Sequence, residues 1–529
     1  VIKVTAQDNS TATYTITMAS TLEVPTAFRA VAGNELIELH WSTVANAVSY
    51  KVYQSTTSGT GYSEVVNLQS SSSYQVLNLT PGQTYYFVVK AVATGYNDSL
   101  NSLEVSAIAN VTPSGSEISG NQLIISNEST DLATQSTGTL SSIITPPMNE
   151  LNTEGMEGPI RINPEIPLRN SPDQSTLDAS MIPSVSSAVV SDIKTFYTYN
   201  YTTTSYDQTI AHCAYVGPNV EVWVENNATP VQLTDSEAAT IGQEFDNNIY
   251  GLVTTNFFAA SDVDNNGKID ILCFDIKDGY TGGGYIGGYY DPNNQVAGTY
   301  SNQMDMIFVD TNPLIGTEKN LPKSYSTLAH ELQHLVNFNC NKNQGGQMAT
   351  WLNESLSQAA EQMYNGVQAD RITYFNNSTV ITDGRSVMDW TKTDSLPNYS
   401  LSYLFGQYLR TQAEQKLDAG VKTDIFKQIL VDPGNETTAL TNAIHNNIDA
   451  SLSLGNVLTN FRVAMALKAT TGVYGFGNDA AAFSGITPKV STLTATDLKG
   501  GGAIVKDISA GPFTVPTIHG SNVTYTGVY

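Results

Sequence analysis

Two histidines, His330 and His334, stand four residues apart in the stretch "STLAHELQHLVNF", and Glu331 directly follows the first. On a helix, residues at this spacing share a face, so both imidazoles can reach one cation while Glu331 flanks it. Leu328, Leu332, Leu335 and Phe338 recur at helical spacing and give the same segment a side to bury. These are the parts of a hydrolytic centre. Glu331 would take a proton from a water acidified by the cation as that water attacks a peptide carbonyl, then pass it to the leaving amine. A catalytic zinc takes three protein ligands and keeps one position open, so a third ligand is expected downstream. The competing reading of a bare HExxH is a helix surface that holds no metal. Six histidines occur in 529 residues, and His40, His212, His445 and His519 show no ligand spacing.

Downstream, "TWLNESLSQAAE" places Glu354 twenty residues after His334, at the start of a second amphipathic helix. The Asn-Glu pair after a Trp-Leu lead-in resembles the gluzincin metallopeptidases, and this resemblance implies a zinc site made of His330, His334 and Glu354. "NYSLSYLFGQYL" resembles the tyrosine-led helix that follows the zinc helices in several gluzincins. It implies Tyr399 as donor to the developing oxyanion, with Tyr403 one turn on in reserve; the plainer reading makes both core tyrosines. One position departs from the pattern. Thermolysin-like enzymes carry an aspartate four residues after the third ligand, where it orients the first histidine, and here that residue is Gln358. An amide accepts an imidazole N–H without the charge, which lowers ligand basicity; Glu361, one turn further, substitutes only if the helix angle allows it.

More of the chain is similar to the hyicolysin-like neutral metalloproteases. "SDVDNNGKIDILCFDI", "GGYIGGYYDPNN", "SNQMDMIFVD", "LAHELQHLVNF", "WLNESLSQAAE", "YSLSYLFGQYL" and "NFRVAMALKATTGVYGFG" follow one another in that family's order, over about residues 187 to 500. The resemblance implies a secreted bacterial zinc endopeptidase acting on proteins or peptides, extracellular host or matrix proteins among them.

The elements that must position these residues follow from pattern. The expected fold is multidomain: an all-β sandwich, then an α+β zincin-like metallopeptidase domain with a mixed sheet and a helical C-terminal half. Residues 1–20 read as a hairpin around Asp8-Asn9-Ser10, the remnant of a preceding bacterial β-sandwich module. Residues 21–113 show short strands at regular spacing, with Trp41 in "IELHWS", "SYKVYQ" and "LTPGQTYYFVVKAVA". They resemble a fibronectin type III domain, with Tyr85 at the position of the tyrosine corner. Residues 114–186 crowd Ser, Thr, Asn and Pro and read as a linker or an extended segment draped over a neighbour. The peptidase domain is expected over 187–529: strand-rich to 325, helical over 326–500, with a β tail over 501–529.

"DVDNNGKID" sets oxygen-bearing side chains at alternate positions with glycine sixth, which follows the start of a calcium loop. Asp262, Asp264, Asn266, Lys268 (through its carbonyl) and Asp270 would supply the oxygens. Cys273 occupies the closing position, so the plainer reading is an Asp/Asn-rich turn leading into a strand. "TGGGYIGGYYD" lacks the Lys-Ser/Thr of a phosphate loop, and nucleotide binding is rejected.

Asp and Glu outnumber Lys and Arg by 49 to 24, a net charge of −25 that repels phosphate backbones and argues against nucleic acid. No apolar run is long enough to span a bilayer. Cys213, Cys273 and Cys340 are an odd, widely spaced set without a CxxC, and the last two sit in apolar runs. The chain opens at Val1 with no leader pattern, which reads as a processed or trimmed start. An extracellular or cell-surface monomer is expected. The alternative from another class is a surface adhesin with an inactive peptidase-like domain; the presence of Glu331, which an inactive copy would be expected to lose, favours the enzyme.

Overall fold

The computed structural model describes residues 20–108, 117–140 and 187–529 apart from short breaks, the longest at 342–347, plus short pieces of 2–14 and 161–176. Ile2–Thr5 and Thr11–Tyr14 pair antiparallel as the expected hairpin.

The first domain is a seven-stranded sandwich. One sheet holds Arg29–Gly33, Leu36–His40 and Ser73–Val76; the other holds Ser63–Gln69, Ser49–Ser55, Thr84–Val92 and Val105–Ile108 in that spatial order. Alternation along the longest strand buries Tyr85, Phe87, Val89 and Ala91 against Trp41, Tyr50 and Val52. The Tyr85 phenol accepts the Thr80 amide at 3.0 Å, tying the strand start back to the preceding loop.

The second domain rests on a six-stranded mixed sheet. In chain order its strands are β1 (Ile193–Asn200), β2 (Ser205–Val216), β3 (Val220–Glu225), β4 (Ile269–Phe274), β5 (Gly288–Tyr290) and β6 (Met306–Asp310). The spatial order is β1-β2-β3-β4-β6-β5. β3, β4 and β6 run parallel, whereas β5 closes the edge antiparallel to β6. Every residue of β4 and β6 is buried, as strands covered on both faces require.

The other half is helical, and its longest helices are α1 (Pro322–Asn341), α2 (Thr350–Asn365), α3 (Leu396–Glu414) and α4 (Leu454–Leu467). The apolar face of α1 packs on β5 and β6, and α2 lies between α1 and α3. Gly288 permits this close approach. A Cβ there would lie 2.5 Å from Thr327 Cγ2 and 2.7 Å from the Phe308 carbonyl. The glycine-rich stretch therefore serves helix packing beside Glu331, whose Cγ is 3.5 Å from the same point.

The linker expected over 114–186 needs correction. Gln122–Asn127 is the central strand of a three-stranded sheet, hydrogen-bonded to Ala503–Asp507 on one side and Val523–Val528 on the other. Leu123, Ile124 and Ile125 are fully buried there, so this part of the segment belongs with the C-terminal β tail. Further along, Arg161–Ile162 pairs parallel with Tyr285–Ile286, and Ser175–Thr176 pairs antiparallel with Val296–Ala297. These pieces are draped over the second domain.

Candidate metal centre

Helices α1 and α2 bring His330, His334 and Glu354 together inside the domain. Their ligand atoms all lie within 4.8 Å of one another, and all three residues are buried. The two Nε2 atoms are 3.0 Å apart. Glu354 Oε2 is 3.2 Å from His330 Nε2, and Oε1 is 3.7 Å from His334 Nε2. Neither carboxylate oxygen of Glu354 has an aligned hydrogen bond, although both are sealed from solvent. Burial of that kind pushes the Glu354 carboxyl up. Two imidazole nitrogens and a carboxylate converging without donors fit a divalent cation, and the nitrogen–oxygen set suits zinc.

The far side of each imidazole is held. His330 Nδ1 lies 2.7 Å from Glu361 Oε1, and a carboxylate can only accept, so Nδ1 carries a proton and Nε2 is the atom turned toward Glu354. His334 Nδ1 is 3.0 Å from Ser357 Oγ. The Ser357 hydroxyl gives its own proton to Gln333 Oε1, which makes it the acceptor for His334 as well. Both histidines thus present Nε2 to the same point.

The residue expected to orient His330 was Gln358 first, Glu361 second; the structure reverses that order. Gln358 turns its amide to the Tyr399 carbonyl, donating at 2.9 Å. Glu361 also pairs with the Arg161 guanidinium. Burial alone would raise Glu361, but Arg161 and His330 outweigh it and hold the carboxyl down at about 2.

Glu331 is buried beside the group, and its Oε1 has no hydrogen-bond partner. Burial first, with the charges of Glu354 and Glu361 adding to it against His330, pushes its carboxyl up to about 8. A group tuned that close to neutrality can both take and give a proton.

Tyr399 and Tyr403 separate clearly. The Tyr403 phenol donates to Gln362 Oε1 at 2.5 Å and accepts the Gln368 amide at 3.0 Å, so both sides of it are committed to packing. Tyr399 lines a cavity of about 480 Å³ that also reaches His334. Its ring is clamped between the Arg371 guanidinium at 4.9 Å and the Trp390 ring at 4.9 Å. Tyr199, Tyr201 and Ile166 complete the aromatic and apolar character of the walls. That volume suits several side chains of a peptide. Arg161, Ser357, Arg371 and Tyr201 were not read from the sequence. No spacing rule connects them to the histidines, because they sit on other segments that tertiary packing brings there.

The calcium-loop residues divide. Asp262 and Asp264 group with Asp305, which the motif did not include. Asp270 lies outside that group, accepting the Trp223 indole N–H at 2.7 Å. The Lys268 ammonium donates to the Gly217 and Pro218 carbonyls and pins the turn to the β2–β3 corner. The Asp305 carboxylate already takes the Val263 amide at 2.5 Å, the Ser261 hydroxyl and the Gln295 amide. The other histidines with described side chains are satisfied: His212 by Asn226 and Asp235, His445 by the Leu452 carbonyl, His519 by the Gly520 carbonyl. All three cysteines are free and buried.

Comparison with known proteins points the same way as the geometry. The profile of a family described as Peptidase M30 matches residues 216–519, more than half of the chain. A neutral metalloprotease of Staphylococcus hyicus, ShpI, is 42% identical over 353 residues, which cover 65% of this chain and 78% of that protein. An amylopullulanase of Thermoanaerobacter thermohydrosulfuricus is 38% identical over 82 residues, 16% of this chain and 6% of its own length. A solved Fn3-like protein from Clostridium thermocellum is 31% identical, covering 18% of this chain and 99% of that one with a TM-score of 0.16.

Proposed function

Because the chain belongs to the peptidase M30 family and is a metalloprotease, we propose that it is a zinc endopeptidase with His330, His334 and Glu354 as ligands and Glu331 as general base. The observation that carries this reading is the pair of buried, unpartnered Glu354 oxygens facing two imidazole nitrogens. A bound cation would polarise the scissile carbonyl and acidify a water beside it. Glu331 takes the proton from the attacking water and delivers it to the departing amine. Tyr399, held rigid by Arg371 and Trp390, donates its phenol to the oxygen on which charge develops. The aromatic cavity binds the flanking side chains and excludes water.

Action outside the cell belongs to the same proposal. It is supported by the type III-like module ahead of the peptidase and by the acidic, lysine-poor composition. Among the described residues no helix is long and apolar enough to cross a membrane. The Asp262–Asp264–Asp305 group braces its turn through hydrogen bonds, and calcium there is the second reading.

Digestion of casein with and without a zinc chelator tests the function. Loss of cleavage on chelation and recovery on adding zinc is the expected result; cleavage indifferent to the chelator would refute it.

A further inference from the structure

The charge behind the metal centre comes from an unexpected part of the chain. Arg161 lies 200 residues before Glu361, ahead of the family-matched region, in the segment whose sequence reads as a linker. Its guanidinium is mostly buried and makes a fork of contacts. One arm donates to Ser326 Oγ at 2.9 Å and Thr327 Oγ1 at 3.0 Å, both on the metal-binding helix α1. The other arm pairs with Glu361 Oε2. Glu361 Oε1 in turn accepts from His330 Nδ1 at 2.7 Å. A continuous path therefore runs from Arg161 through Glu361 and the imidazole to the ligand atom His330 Nε2.

The backbone around Arg161 is fixed independently. Arg161–Ile162 pairs with Tyr285–Ile286, and the Arg371 guanidinium donates to the Arg161 carbonyl at 3.2 Å. Pro164 and Ile166, just beyond, line the same cavity as His334 and Tyr399. The segment lies against the site and contributes both charge and wall.

A carboxylate 2% exposed is costly to keep ionised unless a cation compensates it. A planar guanidinium does this with geometry as well as charge, since its fork fixes the carboxylate plane. We propose that Arg161 is a positioning residue for the metal centre, holding Glu361 aimed at His330 so that the upstream segment is a built-in part of the metal-binding unit. This rests on His330, His334 and Glu354 being the metal ligands.

The test is zinc affinity, measured on the full chain by competition with a chromophoric chelator, for wild type, Arg161→Lys, Arg161→Gln, Glu361→Gln and the Arg161→Gln/Glu361→Gln double variant. Removing such an outer partner typically weakens metal binding about 10–100-fold. Arg161→Gln should fall in that range, and Arg161→Lys, which keeps the charge and loses the fork, should lie between it and wild type. The double variant should bind no more weakly than Glu361→Gln alone, because Arg161 acts through Glu361. Thermal unfolding of the metal-free proteins controls for simple loss of fold, since a purely structural Arg161 would lower Tm without reordering the affinities. Wild-type affinity in Arg161→Gln, equal affinities for the Lys and Gln variants, or additive losses in the double variant would overturn the proposal. Failure of wild type itself to bind zinc would instead remove the ligand assignment on which it rests.

Discussion

Glu361 Oε1 sits 2.7 Å from His330 Nδ1, seven residues beyond Glu354 on the same helix. Seven residues are almost two full turns, so Glu354 and Glu361 share one face of α2 and grip opposite sides of one imidazole. Gln358, between them, is on that face too, but its amide is spent on the Tyr399 carbonyl. Glu361→Gln should therefore weaken zinc binding about 10–100-fold. Gln358→Ala should leave metal affinity unchanged and cost about 1 kcal/mol of stability for the lost hydrogen bond. Chelator competition and thermal unfolding separate the two. The reverse pattern would return the orienting role to Gln358.

In the proposed arrangement Glu331 is the base and not a ligand. Glu331→Gln is expected to retain stoichiometric zinc while kcat on a peptide substrate drops roughly 10²–10⁴-fold. Metal analysis alongside kinetics decides it: a variant that is inactive because it is empty would make Glu331 a ligand, and one that is full and active would leave no base.

The two tyrosines of α3 should behave oppositely. Tyr399→Phe removes a donor at the cavity wall and should reduce kcat about 10²–10³-fold with little change in KM. Tyr403→Phe loses its bonds to Gln362 and Gln368 and should lower stability by about 1–2 kcal/mol while activity per folded molecule holds. Equal kinetic losses in both variants would show that the helix, rather than the Tyr399 phenol, matters.

Zinc uptake should release protons. Burial lowers the His330 imidazole, but the Glu354 and Glu361 carboxylates beside it outweigh this and push it up to about 10. At neutral pH the metal-free protein therefore holds a proton on His330 that the cation must displace. Raising the pH removes that competitor, so affinity should climb about tenfold per pH unit from roughly pH 6 up to about pH 10 and level off above. Calorimetry in buffers of different ionisation enthalpy counts the released proton directly; an affinity flat across that window would mean His330 is already neutral.

Asp305 holds its turn through the Val263 amide, the Ser261 hydroxyl and the Gln295 amide. Asp305→Asn should lower Tm by the same amount in excess calcium as in EGTA. A loss confined to the calcium-containing sample would establish a bound ion there.

The grouping of His330, His334 and Glu354 was legible because helical periodicity is local. His330 and His334 need only one turn, and Glu354 is recognisable from its interval and its Asn-Glu setting. Tyr85 and the alternating strand behind it were legible for the same reason. What escaped the sequence depends on long-range placement. Arg161 meets Glu361 only because a two-residue strand pairs beside Tyr285, and Ser357 meets His334 only because α1 and α2 cross at that point. Asp270 fitted a spacing rule, yet strand β4 turns it to Trp223 and the fold brings in Asp305 instead. Gln122–Asn127 looked like linker because so short an apolar run signals little until its partners, more than 370 residues away, are known.

That last strand has a consequence for how the protein is made. Gln122–Asn127 hydrogen-bonds on both edges to segments ending at Asp507 and Val528, and Glu128 beside it bonds Asn456, Thr459 and Thr524. A nascent chain would hold this strand without either neighbour until segments more than 370 residues downstream have left the ribosome. Completion of the sheet then depends on Val523–Val528. Without Val523–Val528, Leu123 and Ile125 would lose part of their cover and expose apolar surface, so early and late parts of the chain must fold as one unit.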